Sequence, residues 1–423
     1  MVNRKLSRVL GPILGVMGFM LAIGILETSV FAAEKVQADS EYISNITTAA
    51  AVEYKDYSVN INKSETQNGI KVTVDKAIGT RHKLKVILKV EGEKSLEKLN
   101  HGNSIFELTY GNSSDFSFTN SSEEYVNDKT MIITLEKDNY KEEYPEKGDL
   151  RVDVVYSSYK INIGMDIPVD FSNSFASMTI KSISGKIPEL NYTLKEIESD
   201  VMGTTITYSK PEEKDNSGGY NSLLDPIIVL KAGDRMYRTD SNGDFNGEDG
   251  VILGNYHSES ATYDKIKNKK EINIIPVTCS MRWQDLRKLH EKNKGKEESA
   301  SKETTNNVTY EKNLNFTDGS KGEIYNIERN DNSIKVYCKG ATEKESLLMA
   351  SKMEIFYQNN DGENDNMFYS NKDISFYKDP KESLGYIVEF NDVKKDKKVE
   401  LSFDDLIKYI DKYNISDEIK LLN

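Results

Sequence analysis

Side chains that could bind calcium recur at alternate positions in the segment Asp240–Asn246. A calcium loop of the EF-hand type needs glycine at its sixth position and a bidentate glutamate at its twelfth. Here those positions hold Phe245 and Val251. The pattern therefore favours a polar, glycine-rich hairpin loop over a calcium site, and we interpret Asp361–Asp365 in the same way. The candidate ligands of the first segment are Asp240, Asn242 and Asp244.

The remaining reactive residue types do not form a pattern that predicts catalysis. None of the histidines has a second ligand at the spacing that a zinc site on a helix requires. The chain has no Gly-x-Ser-x-Gly and no phosphate-binding glycine loop. We therefore predict no catalytic, cofactor-binding or metal-binding residue, although an opposed pair of carboxylates would leave no sequence signature. The histidines are His82, His101, His257 and His290.

Two cysteines, Cys279 and Cys338, leave two interpretations open. An exported pair can form a disulfide. Alternatively, each is a small apolar side chain in a core. Because our segmentation places them in different units, we favour two buried thiols.

The N-terminal segment predicts export. Arg4, Lys5 and Arg8 precede an apolar run, Val9–Leu26, whose helix would be about 27 Å long. This length is close to that of a membrane span, and the basic flank keeps the N-terminal side in the cytoplasm. The side chains before Ala33 also suit cleavage after Ala32. Residues 1–33 are thus either a signal peptide or a retained membrane anchor.

Composition is consistent with a solvated protein outside the cytoplasmic membrane. The net charge is −13, and removal of residues 1–32 would leave −15. Such a charge disfavours nucleic acid as a partner. We expect the cytoplasmic membrane to be a partner only if the N-terminal helix is uncleaved.

The body of the chain predicts an all-β fold of tandem Ig-like β-sandwiches after the N-terminal hydrophobic helix. Apolar and polar residues alternate with a period of two, which buries one face of a strand and leaves the other in water. Turn signals such as Asn68-Gly69 separate these segments. Examples of alternating segments are 69–74, 83–88, 160–167 and 333–337.

A weak internal repeat divides the body into units. Strand–turn–strand patterns begin near Tyr57, Tyr192 and Tyr325, about 135 residues apart, which is close to one sandwich with its connection. The end of the last unit, Ser402–Ile410, has helical spacing and predicts a C-terminal helix. We predict a stalk at 34–53, unit one at 54–169, unit two at 170–283, a polar linker at 284–307 and unit three at 308–423. The linker's first part, 283–292, is expected to form a short helix.

Two stretches, Val59–Val90 and Tyr192–Tyr208 with the following Leu230–Tyr237, resemble paired domains of unknown function in exported or membrane-anchored proteins of Gram-positive bacteria. The resemblance covers roughly residues 50–285. It implies extracytoplasmic β domains behind one membrane helix, often with a cytoplasmic anti-sigma-like segment before the helix. Here only Met1–Arg8 precede the helix, so we expect no cytoplasmic sigma-binding domain. The resemblance implies no active-site residue.

Three functional hypotheses follow. The first is a non-enzymatic envelope protein that binds or senses an unidentified extracellular protein or envelope polymer. The second is a structural or adhesive surface protein whose units act as spacers. The third, an envelope hydrolase, would require opposed carboxylates in a cleft, one of them with a raised pKa. Fold class does not separate these hypotheses, because sandwiches serve all three functions.

Overall fold

The computed structural model describes residues 54, 56–96, 104–111, 119–140, 142–212, 223–247, 250–293, 301–358, 373–395, 397–403 and 405–422. Over these residues the protein is all-β with several sheets, which confirms the predicted fold class at this level. No helix within the described ranges is long and apolar enough to span a membrane. The predicted signal or anchor and the predicted stalk lie outside these ranges.

Unit one consists of two sheets packed on one apolar core, an arrangement compatible with a β-sandwich. One sheet has the strand order β1-β2-β3-β6-β5 and the other β4-β7-β8, all antiparallel. A short helix, α1 (Ser172–Phe175), follows. The strands are β1 (Val59–Gln67), β2 (Ile70–Gly79), β3 (Lys83–Gly92), β4 (Ser104–Tyr110), β5 (Asn120–Asn127), β6 (Thr130–Asp138), β7 (Lys147–Tyr156) and β8 (Ile161–Asp170).

Side chains close one open edge of this pair of sheets. Lys63 on β1 donates to the carbonyl oxygen of Asp166 on β8 at 2.8 Å. Gln67 accepts from the backbone amide of Asn162 at 2.7 Å. Edge strands carry unpaired backbone groups that invite foreign strands. These bonds satisfy such groups from within the unit.

Units two and three contain the remaining strands. Those of unit two are β9 (Thr179–Ser182), β10 (Lys186–Ile187), β11 (Tyr192–Asp200), β12 (Gly203–Pro211), β13 (Ile227–Ala232), β14 (Arg235–Arg238), β15 (Asp240–Asn246), β16 (Val251–Ser258) and β17 (Ile272–Cys279). Those that follow are β18 (Lys302–Thr305), β19 (Val308–Glu311), β20 (Asn313–Asn315), β21 (Lys321–Arg329), β22 (Ser333–Gly340), β23 (Met353–Tyr357), β24 (Ile374–Lys378), β25 (Tyr386–Asn391), β26 (Val399–Phe403), β27 (Tyr413–Ile415) and β28 (Ile419–Leu422). The further helices are α2 (Tyr263–Ile266), α3 (Trp283–Asn293) and α4 (Glu343–Ser351), and 3₁₀ turns lie at Ser157–Tyr159, Pro188–Leu190, Asp405–Lys408 and Ile410–Lys412.

A single ten-stranded sheet joins units two and three, with the order β20-β21-β22-β25-β24-β14-β13-β17-β27 and β28 also on β17. The connection between the units is the pairing of β14 with β24, where Met236 lies opposite Phe376. Two smaller sheets flank it: β10-β11-β12-β16-β15 with β9 on β11, and β18-β19-β26-β23. The domain boundaries stay predictions, but the backbone hydrogen bonding runs across the boundary between units two and three.

The shared sheet is buried on both faces near its centre. On β13, Ile228 and Leu230 belong to the core of unit two, whereas Ile227 and Val229 belong to the core that continues into unit three. A strand covered on both faces has an unbroken apolar run in place of alternation. The sequence of β13 has this form.

The chain differs from the sequence predictions at its C-terminal end and in the linker. Ser402 pairs with Glu354 as part of β26, and two 3₁₀ turns follow in place of the expected helix. Pairing with β23 overrides the helical spacing, and the 3₁₀ turns still bury Ile407 and Ile410. In the linker range, α3 confirms the short helix expected at 283–292, but it packs Leu286 on the core, and β18 forms a strand that was not expected.

Both cysteines are buried and neither forms a disulfide. Cys279 lies on β17 and Cys338 on β22, five strand steps apart in the shared sheet, or roughly 24 Å along it. A disulfide requires Cα atoms within about 7 Å of each other. Burial raises the pKa of Cys338 to about 12, so its reactive thiolate is scarce.

We predict that the native protein resists thiol alkylation and that denaturation without reductant exposes two reactive thiols. Burial blocks access in the folded state, and no disulfide protects the thiols in the unfolded state. Mass spectrometry after alkylation measures both. An unfolded, unreduced protein that takes up no label would contradict the structure.

Candidate functional site

A cationic tip projects from unit one at the turn between β2 and β3. It carries Arg81 and His82, with Lys83 at the start of β3. The amide of Thr80 closes the turn by donating to the carbonyl oxygen of Lys83 at 2.8 Å. Tight turns hold the intervening side chains outside the sheet. The tip therefore presents its charges to unit two.

An acidic strand of unit two receives this tip. Glu196, Glu198 and Asp200 occupy alternate positions of β11, and alternate residues of a strand face the same side. Their partners across the hairpin, on β12, are likewise alternate residues. A register shift between Leu194 and Glu196 precedes them. Three carboxylates are thus aligned on one face.

Arg81 joins the two units. Its Nη1 lies 2.9 Å from Glu198 Oε2 and 3.3 Å from Glu196 Oε1, while its Nη2 lies 2.6 Å from Glu143 Oε1 of unit one. The side chains of Arg81 and Glu198 are 20% and 8% exposed. Charge-assisted bonds of this kind are about twice as strong as neutral ones. Arg81 is therefore a charged connection between the units, beside the hydrogen bond of Asn242 with Tyr140.

An apolar patch lies beside the charges. Ile78 from β2 packs against Val201 and Met202, which form the turn between β11 and β12, and Tyr54 and Tyr57 cover them. The hydroxyl of Tyr57 also reaches α2, where it donates to Asp264 Oδ2 at 2.6 Å. The contact therefore combines hydrophobic burial with ion pairing.

Lys83 and Asp200 lie deeper than Arg81. Asp200 accepts the backbone amide of Met202 at 2.7 Å, and burial raises the pKa of its carboxyl. Burial alone lowers the pKa of Lys83, but Tyr140 and the surrounding carboxylates raise it above its ordinary value. Those carboxylates belong to Asp138, Glu259 and Asp200.

The carboxyl of Glu198 has a strongly shifted pKa. Burial, followed by the neighbouring Asp200, raises its pKa to about 7, and Arg81 opposes this rise. A carboxyl that changes its charge near neutral pH is the type of group that marks functional sites, although ion-pair networks show it as well.

Two of the four histidines, His82 and His257, lie at this contact, each with its own partners. His82 Nδ1 lies 2.7 Å from the carbonyl oxygen of Asn139, and its Nε2 lies 3.7 Å from Glu198 Oε2. His257 Nδ1 lies 2.9 Å from the hydroxyl of Thr205. Burial lowers the pKa of both rings, and lowers that of His257 furthest. Both histidines are therefore neutral in the folded protein at pH 7.

Gly203 allows β12 to start directly against His257. A Cβ at this position would lie 2.6 Å from His257 Cε1 and closer still to the carbonyl oxygen of Ser258. The backbone φ of +139° is also one that side chains disfavour. Only glycine fits without displacing the ring.

The structure corrects the hairpin-loop interpretation of Asp240–Asn246. These residues form β15, which pairs with β16 through a register shift between Ser241 and Asp244. The shift contains Gly243, whose φ of +89° lies in the left-handed region. Backbone pairing with a neighbouring strand, which local sequence does not specify, makes the segment a strand.

The three candidate calcium ligands have protein partners. Asp240 accepts from Arg238 at 2.9 Å, and Asn242 donates to the hydroxyl of Tyr140 at 2.8 Å. Asp244 accepts from Tyr208 at 2.6 Å and pairs with Lys210 at 2.5 Å. Within the described ranges, no group of three or more His, Cys, Asp or Glu side chains is placed to hold a metal. The second segment, Asp361–Asp365, and His101 lie outside these ranges.

Sequence reasoning missed Arg81 and the acidic residues of β11 as a site. Their signals are a run of three basic residues in a turn and acidic residues at alternate positions of a strand. Both signals lie within the two stretches that carry the family resemblance. About 115 residues separate Arg81 from Glu196 in the chain, so their contact has no local signature.

Comparison with known proteins gives little information. No protein-family model matches the chain, and no curated protein matches it. The chain is similar to the crystal structure of a conserved domain protein from Bacillus anthracis, with 17% sequence identity and a TM-score of 0.39. The match covers 53% of this chain and 79% of that chain.

We predict that Arg81→Met lowers the free energy of unfolding by about 2–3 kcal/mol, because Glu196 and buried Glu198 lose their hydrogen bonds to the guanidinium. This loss of unfolding free energy is smaller than is usual when a fully buried ion pair is broken, because one fifth of the Arg81 side chain is exposed to water. Chemical denaturation measures the loss. The matched control is Arg151→Met, because Arg151 pairs with Asp153 and Asp166 on the surface. Equal losses for both variants would refute a special role of Arg81.

We predict that Asp244→Ala destabilises the protein by about 1–2 kcal/mol whether or not calcium is present, because buried Tyr208 loses its acceptor. Asp240→Ala is the control and should cost less, since the side chain of Asp240 is 68% exposed. Thermal melting with and without millimolar calcium measures this. If calcium stabilises the wild type and Asp244→Ala removes the effect, the segment is a calcium site after all.

Proposed function

We propose that this chain is a non-enzymatic protein of the bacterial cell envelope whose tandem Ig-like units bind or sense a partner outside the cytoplasmic membrane. The N-terminal apolar run delivers the units, either as a cleaved signal or as a single anchor with its N-terminus in the cytoplasm. The partner is an extracellular protein or an envelope polymer, and not a nucleic acid. The family resemblance of residues 50–285 agrees with this assignment.

One observation carries the proposal. Buried ionisable groups with shifted pKa values lie at the contact between units one and two, where Arg81, Glu198 and Glu196 pair with each other. Glu198 bonds to Arg81 at 2.9 Å and is 7% exposed, so a substrate would have to displace the arginine to reach it. An active site presents its groups to a cleft. These groups instead hold two β units in a defined orientation.

A structural spacer is the second candidate, and the shared sheet favours it. Backbone pairing of β14 with β24 makes units two and three one continuous body. A continuous sheet resists bending more than a flexible linker does. A spacer would have no discrete ligand, whereas a binding protein would.

The hydrolase hypothesis keeps one supporting feature, the raised pKa of Glu198 next to Asp200. However, these carboxylates are neighbours on one strand, whereas glycoside hydrolysis needs two that face each other across the substrate. The geometry therefore supports binding better than hydrolysis.

Export is tested in a Gram-positive host that expresses the full chain with a C-terminal tag. We expect protease added to intact cells to degrade the tagged protein. The double variant Leu21→Arg/Ile23→Arg should remain protected inside, because charges in the apolar run oppose insertion. The control Ala49→Arg/Ala51→Arg should still be exported. A wild type that is protected from protease in intact cells would overturn the proposal.

Binding and catalysis are tested with the full chain in mild detergent. We expect saturable binding to isolated cell wall or to a defined surface-protein fraction, without release of soluble fragments. If fragments are released and Glu198→Gln abolishes the release, the protein is a hydrolase. If no cell-wall or surface fraction binds saturably, the spacer assignment replaces the binding assignment.

A further inference from the structure

The contact between units one and two contains more acid than base among its described residues. Arg81 and Lys83 supply its positive charge, and His82 and His257 are neutral at pH 7. The carboxylates outnumber these cations and crowd around them. They belong to Asp138, Glu143, Glu196, Glu198, Asp200 and Glu259.

The charge of Glu198 is only partly compensated by solvent and by the cations. One nitrogen of Arg81, Nη1, is shared between Glu198 and Glu196, while Nη2 serves Glu143. The side chain of Glu143 is 59% exposed, so water can solvate its charge. Glu198 is buried and has Asp200 two residues away on the same face. Like charges at this separation in a dry contact repel strongly.

We propose that the contact between units one and two is a proton-controlled joint. It is closed while Glu198 carries a proton, and it loosens when buried Glu198 and Asp200, neighbours on one face of β11, are both ionised. The reorientation of unit one relative to unit two is the output. The joint goes beyond partner binding and does not depend on which partner the units bind.

The direction of the pH effect follows from the docked state of Glu198. Its pKa is about 7 in the closed contact, against an ordinary value of 4.5 in water. A group with a raised pKa in one state favours that state at low pH. The proton on Glu198 therefore stabilises the docked state fully below about pH 4.5, and this stabilisation is lost as the pH rises through 7.

The other charged groups around Glu198 do not reverse the direction of this pH effect. Burial raises the pKa of Asp200, so its proton also favours the closed state. Arg81 bonds to Glu143, which raises the pKa of the arginine and keeps it charged throughout. The same bond lowers the pKa of Glu143, which stays ionised in both states at neutral pH.

The histidines titrate in a lower range. Burial lowers the pKa of His82 in the turn and of His257 on β16 below 6.5. Protonation of either ring opposes docking, but only in acid. Between pH 7 and 9 both remain neutral, so the carboxyl of Glu198 determines the response in that window. Lys83 keeps its charge there, because Tyr140 and the nearby carboxylates raise its pKa against the effect of burial.

The first test uses fluorescence energy transfer in the full chain, with dyes on Thr66→Cys and Lys270→Cys. Both positions are exposed, and the two native cysteines are buried. Thr66 lies on β1 about 26 Å from the contact, measured along the strand, so a change of orientation moves it far. We expect the transfer efficiency to change with a midpoint near pH 7 and to stay constant in Glu198→Gln. Glu196→Gln should keep the transition but move its midpoint to lower pH, because the charge of Glu196 contributes to the raised pKa of Glu198.

The second test needs no substitution in the contact. Hydrogen exchange of the Met202 amide, which donates to Asp200, reports opening in the wild type. After correction for the intrinsic rate, we expect its protection to fall by up to about tenfold per pH unit above 7, as linkage to one proton requires. Amides of the unit one core, such as Val72 and Val74, should keep their protection.

Two outcomes would overturn the joint. One is a wild type whose energy transfer and Met202 protection are both constant from pH 6 to 9. The other is a transition that persists in folded Glu198→Gln. Neither outcome bears on export or on binding of cell-wall material, so failure of the joint and failure of the proposed function can be told apart.

Discussion

The unpaired backbone groups at strand edges are the constraint on which much of the described structure depends. An open edge exposes a row of donors and acceptors that attract other chains. In units two and three the edges of β14 and β24 pair with each other, so two cores share one sheet. The strands β27 and β28 return from the chain end to cover β17. In unit one, Lys63 and Gln67 satisfy the edge of β8 with side chains.

The two junctions between units therefore differ in kind. Units two and three are joined by backbone hydrogen bonds and by apolar cores on both faces of β13, with ion pairs such as Arg235 with Glu389 beside them. Units one and two meet through side chains, with Ile78 and Met202 beside the ion pairs of Arg81. A junction made of side-chain charges responds to pH and salt, whereas a continuous sheet does not. Motion is thus expected at the first junction and rigidity at the second.

The local structure was predictable where the signal lay within a few residues. The alternation in β2 and β22 marked them as strands, and the dipeptide Asn68-Gly69 marked a hairpin whose two positive φ angles such a turn requires. The strand–turn–strand patterns near Tyr192 and Tyr325 are antiparallel hairpins in the structure. Predictions failed where a distant strand decided the outcome. Ser402 pairs with β23 and Asp244 pairs with β16, so both lie in strands. The residues next to them in the sequence had predicted a helix and a loop.

The amino-acid sequence alone predicted the all-β class, many of the strands and the burial of Cys279 and Cys338. Alternation with a period of two and the apolar character of a side chain can both be recognised within a few residues. The sequence contained only two local signals of the site, a basic turn and acidic residues at alternate strand positions, and nothing that brings them together. Arg81 and Glu198 are ordinary surface types in sequence, and they become a buried pair only when a turn of one unit meets a strand of another. The pKa of Glu198 is likewise a property of the assembled contact, since burial and Asp200 both act through space. Tertiary structure decided the site because desolvation and charge proximity depend on three-dimensional distance, which the order of residues does not encode locally.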